Sequence, residues 1–175
     1  MWGACDTMRN AVSRRAVKFS DPTIPLLLAA LDEAFDHRSW HGTNLRGSLR
    51  GLTAKEVARR PAAGRHNIWE IVVHAAYWKY AVWRLITGAQ RGSFPLQGSN
   101  WFSRNEADDS AWRRDLELLA REHRELRGAV AKFPPDRLGE HTAKKKYTYV
   151  DVIRGVAAHD LYHAGQIQLL KRLVT

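Results

Sequence analysis

The sequence predicts an all-α protein, a four-helix bundle, on three observations. Four segments repeat apolar residues at the three-and-four spacing of an amphipathic helix, and no segment alternates as a strand does. Capping residues, proline or glycine mark the ends of those segments. The 175 residues suffice for one domain with a real core and are too few for two ordinary ones.

Residues 1–20 show no periodicity and are expected to form a loosely ordered basic extension ahead of a bundle domain over 21–175. Asp21-Pro22 supplies an N-cap and a first-turn proline, and Ile24, Leu27, Leu28, Leu31 and Phe35 mark one face of a first helix running to about Asp36. Residues 38–66 are largely irregular, with one short helix opened by the capping box Thr53-Ala-Lys-Glu56. A second box, Asn67-Ile-Trp-Glu70, opens the second long helix, which Gly88 ends. The third begins near Asp109 or Ser110, carries Trp112, Leu116, Leu119, His123, Leu126 and Val130 on one face, and stops at Pro134-Pro135. Thr148-Tyr-Val-Asp151 starts the fourth, whose inner stripe reads Val152, Val156, His159, His163, Ile167 and Leu170. The first two long helices are joined by about 30 residues, well beyond usual bundle loops, so a simple up-down-up-down order is not required.

The formal net charge of +10 invites a nucleic-acid reading. The basic residues are spread over the chain, however, and in the third helix they interleave with Asp115, Glu117, Glu122 and Glu125, the pattern of a solvated face. No helix-turn-helix, zinc-finger or RNP-like signature accompanies the charge, so nucleic acid is not the expected partner. No apolar run approaches the roughly 18 residues of a membrane span. No apolar segment of secretory type follows the basic N-terminus, and Cys5 is the single cysteine. These features predict a cytoplasmic protein without disulfides.

The chain has eight histidines, so well under one pair at i,i+4 is expected by chance; it has two, His37/His41 and His159/His163. The first falls where a helix runs out into a loop. The second lies within an apolar stripe, where two imidazoles must be satisfied by hydrogen bonds or by a metal. His74, on a face of the second long helix with Ile71, Trp78, Ala81 and Leu85, adds a third inward histidine. Three imidazoles with open positions describe a catalytic rather than a closed site, and suit zinc, nickel, iron or copper. A zinc-protease reading fails: Asp160 stands where HExxH needs glutamate, and no downstream ligand follows His163.

"HNIWEIVVHAAYWKYAVWRLITG" (66–88) and "IRGVAAHDLYHAGQIQLLKRL" (153–173) resemble the ligand-bearing helices of the DinB/YfiT-like four-helix-bundle family, and the likeness extends over about 22–175. The resemblance implies an up-down-down-up bundle, a homodimer, and one divalent metal ion on His74, His159 and His163, zinc first, nickel or iron next. Characterised relatives include S-transferases and isomerases that use low-molecular-weight thiols.

The leading expectation is therefore a metal-dependent enzyme that activates a thiol or water toward a small-molecule substrate, by S-transfer or hydrolysis. A non-catalytic metal-binding bundle and a basic nucleic-acid module are the alternatives. Gln166, three residues after His163, is expected to meet substrate, and Asp160 to support a ligand or bridge helices. Glu70 is accounted for by its capping box, with a general-base role as the alternative. Trp69, Trp78, Trp83 and Trp112 are expected to pack in the core or an interface, and Trp40 and Trp101 beneath their loops.

Overall fold

Each expected long helix forms close to its predicted ends. The computed structural model describes residues 22–174 except Glu106, Lys144 and the side chain of Val174, so the N-terminal extension lies outside the described residues. α1 spans Thr23–Phe35 with Pro22 at the cap position, and Asp21, expected to cap it, is likewise outside. Two short helices follow, α2 (Leu45–Ser48) and α3 (Ala54–Ala58). α3 opens on the expected box, with Thr53 N–H donating to Glu56 Oε2 at 2.7 Å. α2 is a single turn capped by Asn44, too short to show a period in sequence.

α4 spans Ile68–Thr87 and ends at Gly88, whose φ of 74° is left-handed and costs glycine little. Its expected capping box is only half made. Asn67 Oδ1 accepts from Glu70 N–H at 2.8 Å, but the Glu70 carboxylate turns to Arg60 and His66 instead. α5 spans Asp109–Ala131, and a 3₁₀ turn at Pro135–Arg137 follows it. α6 spans Tyr149–Val174; Asp151 closes its box, accepting from Thr148 N–H at 3.1 Å. No helix among the described residues is long and apolar enough to cross a membrane.

Contacts fix the helix directions. Trp69 reaches Trp112 and Asp115 near the starts of α4 and α5, while Lys79, further along α4, lies within electrostatic reach of His123, so these helices run parallel. His74 meets His159 and His163 whereas Val82 sits with Val156, so α4 and α6 are antiparallel. Asp32 pairs with Arg127 and Phe35 stacks on His123, making α1 antiparallel to α5. The order is up-down-down-up. A parallel α4/α5 pair requires a connection that returns the length of α4, about 30 Å for 20 residues. Residues 88–108 make that return, and lay Asn100 and Trp101 against α4.

The core has two apolar clusters, one around Trp69, Val72, Leu119 and Ile167 and one around Leu31, Val82, Leu126 and Ile153. Along each long helix the residues between them are polar and buried: Asp32, Lys79, His123 and Asp160. Asp115 and Glu122, expected on a solvated face, are buried as well. Asp115 accepts from Trp69 Nε1 at 2.7 Å and from Arg104 Nε at 2.7 Å, so α5 carries a wider inward face than its apolar stripe showed.

Lys79 Nζ donates to Asp160 Oδ2, and both side chains are fully buried. Burial pushes the Asp160 carboxyl above its usual range against the pull of Lys79, and its Oδ1 has no hydrogen-bond partner among the described residues. Removing one member of such a pair leaves an uncompensated buried charge, whereas apolar replacement of both is often tolerated. Lys79→Met is expected to destabilise by about 3–5 kcal/mol, and Lys79→Met/Asp160→Leu to recover most of that loss in urea denaturation.

His123, stacked on Phe35 at 3.8 Å, is held neutral by burial and then by Lys79, its pKa lowered from 6.5 to about 3. Unfolding lets the ring take a proton below about pH 6.5, so acidification favours the unfolded chain. Between about pH 6 and 4, wild type is expected to lose stability more steeply than His123→Phe, by up to about 1.4 kcal/mol per pH unit in parallel denaturant titrations.

Candidate metal centre

On α6, residues four apart share a face, and His159 and His163 place their Nε2 atoms 3.0 Å from one another. Antiparallel α4 brings His74 Nε2 to 3.1 Å from that of His159. One ligand atom from each of the three residues lies within 4.8 Å of the others.

The far ring nitrogens show which way two of these imidazoles are polarised. His74 Nδ1 lies 2.8 Å from the Asn100 carbonyl, and His163 Nδ1 lies 2.7 Å from Gln166 Oε1. Both oxygens can only accept, so both rings carry hydrogen on Nδ1 and turn the Nε2 lone pair inward. Two inward lone pairs crowd His159 Nε2, which can donate to only one of them. A cation satisfies all three.

Burial lowers His74 to a pKa of about 4 and His159 to about 3, and lowers His163 as well, so the three rings are neutral at pH 7. Neutral imidazole is the form that binds metal. His159 Nδ1 has no hydrogen-bond partner among the described residues.

The returning loop seals one side. Asn100 adopts φ 69°, a left-handed conformation that asparagine tolerates better than most residues. This directs its carbonyl at His74 and its Oδ1 at Trp78 Nε1, 2.9 Å away. Next to it the Trp101 indole lies flat between two imidazoles, 3.8 Å from His74 and 3.7 Å from His66. A cleft of about 420 Å³ opens beside the stack, lined by all three histidines together with Arg65, His66, Trp101, Tyr162 and Gln166. A larger depression of about 690 Å³ lies elsewhere, around Arg46, Arg50, Glu117 and Arg124, and contains no histidine.

Glu70 is buried behind His66. Its carboxylate accepts from Arg60 Nη1 and Nη2, from Arg104 N–H at 3.3 Å and from His66 Nδ1 at 2.7 Å. Burial alone would raise the group, but these bonds hold it below the ordinary carboxylate range. Arg60 also donates to Asn105, tying the residues before α4 to the returning loop.

His74, His159, His163 and Gln166 thus come together at one cleft, and Asp160 does not. It faces the core and bridges α6 to α4 through Lys79. Gln166 is spanned between His163 and Tyr162, donating to the tyrosine hydroxyl at 2.9 Å. His37 stands at the surface beside Asp36, outside the cluster. Trp101 is in the site, whereas Trp40, expected to pack beneath its loop, is 99% exposed. His66, Asn100 and Arg60 were not singled out by sequence. The contacts that give them meaning span 26 residues for Asn100 and depend on how the loop returns. The signal available for His66 was its i,i+4 spacing from Glu70.

Residues 36–167 match the DinB superfamily, a metal-binding helical family. The match covers well over half of the chain and includes all three histidines, so the chain belongs to the DinB superfamily. No curated protein and no solved structure gives a significant match.

The left-handed backbone at Asn100 admits glycine readily and alanine poorly. Asn100→Ala is expected to lower stability by about 1–2 kcal/mol and Asn100→Gly by less, as read from chemical denaturation.

Proposed function

We propose that His74, His159 and His163 bind one divalent metal ion, zinc in preference to nickel or iron, and that the site activates a thiol or water molecule against a small electrophilic substrate. The observation that carries this reading is the convergence of three neutral imidazoles whose inward lone pairs have too few protons between them. A divalent ion bound there supplies Lewis acidity, favouring loss of a proton from a nucleophile in the cleft and stabilising charge on the electrophile.

The chain's own residues prepare that chemistry. The Asn100 carbonyl and Gln166 fix the tautomers of His74 and His163, as acceptors behind metal-binding histidines commonly do. Trp101 closes one wall against water, and Tyr162 holds Gln166 in place. Three donors beside an open cleft suit catalysis, whereas structural zinc is enclosed by four protein ligands. The Lys79–Asp160 bridge joins α4 to α6 without any ion, which argues against a metal whose task is to staple the helices.

Elemental analysis of metal-loaded protein is expected to give one divalent ion per chain, and His74→Ala or His163→Ala to fold with little metal. Gln166→Leu is expected to weaken metal affinity about 10- to 100-fold in chelator competition. Absence of stoichiometric metal in the wild-type chain would overturn the reading.

A further inference from the structure

We infer that His66, backed by Glu70, is the proton acceptor of this cleft. The inference rests on the proposed activation of a nucleophile at the three-histidine site and assigns where its proton goes.

Four features of the geometry point to His66. Its Nδ1 is engaged by the Glu70 carboxylate at 2.7 Å, which leaves Nε2 as the nitrogen able to meet a molecule in the cleft that the ring lines. Glu70 is fixed in turn by Arg60 and by Arg104 N–H, so the carboxylate that orients the ring cannot swing away. The ring lies nearly parallel to the Trp101 indole, 5° between planes, which sets its tilt. Trp101 also separates His66 from His74, so His66 stands about two stacking distances from the histidine cluster. That separation excludes His66 from the donor set, while both rings line the same cleft, where a substrate can reach them.

A carboxylate behind Nδ1, with Nε2 directed at the reacting molecule, is the arrangement that lets histidine take a proton from a nucleophile. With a thiol, the S–H bond breaks, its electron pair stays on sulfur, and an N–H bond forms at His66 Nε2. The same proton is later available to the leaving group, and nothing is oxidised or reduced. The charged and titratable groups around this ring are Glu70, Arg60, Arg104, Arg65 and, across Trp101, His74. Arg65 flanks His66 at the rim of the cleft.

The test uses the full chain loaded with cobalt(II) and 2-mercaptoethanol as the probe thiol. Stopped-flow absorbance follows the sulfur-to-cobalt charge-transfer band in wild type, His66→Gln and His66→Phe. The His66 side chain is 45% exposed, so both variants are expected to fold, and rates are expressed per bound cobalt. At pH 7 both variants are expected to form the band at least tenfold more slowly than wild type. A smaller loss in either variant, with the band intact, overturns the role of His66 and leaves thiol activation standing. No band in wild type overturns thiol activation and, with it, this inference.

Discussion

The buried ion pair between Lys79 and Asp160 is the constraint on which the site depends. Apolar contacts between α4 and α6 can re-form after a small slide, because one aliphatic side chain substitutes for another at modest cost. Two charges in a medium of low dielectric have no such freedom. A shift of one helical turn, about 5.4 Å, would part them and leave each buried without a counter-charge. The pair therefore selects the register of the two helices. His74 lies five residues before Lys79, and His159 and His163 flank Asp160, so the register that mates the charges also brings the histidines together. The other helices complete the same layer, with Asp32 on α1 and His123 on α5.

A second constraint is topological. Because α4 and α5 are parallel, the chain must travel back along α4 before α5 can begin, and a connection of that length can carry side chains and carbonyls to places no tight turn would reach. Here it supplies the acceptor for His74 and the indole that lies against it. The left-handed residue at 100 aims one carbonyl and one side chain in different directions within a single turn. The loop is thus as much a part of the site as the helices, although its sequence carries none of the histidines.

The long helices were legible because each records its own ends: Asn67 and Gly88 for α4, Thr148 and Asp151 for α6. The histidine trio was legible for a related reason, since an i,i+4 pair and a third histidine on an inward stripe are local patterns. What could not be read locally was the competition for Glu70. Its position three residues after Asn67 satisfies the capping-box rule, yet a guanidinium brought by the segment before α4 outbids a backbone amide for the carboxylate. Asp115 and Glu122 escaped notice similarly, for alternation with arginines marks a solvated face only when nothing packs over it. Trp40 failed in the opposite sense: a large aromatic in a loop is expected to find cover, and nothing among the described residues provides it.

His66 and His74 sit on opposite faces of one indole and differ in what stands behind them. His74 is buried and offers Nδ1 to a backbone carbonyl, a neutral acceptor that fixes the tautomer without favouring a second proton. His66 is half exposed and offers Nδ1 to a carboxylate held ionised by arginine. A carbonyl behind imidazole suits a ring that presents a lone pair permanently, as a ligand must. A carboxylate behind imidazole stabilises the cation that forms when the ring accepts a proton. Two residues of the same type, eight positions apart on the chain, are thereby fitted to different tasks, and the difference lies in their acceptors and burial rather than in the histidines themselves.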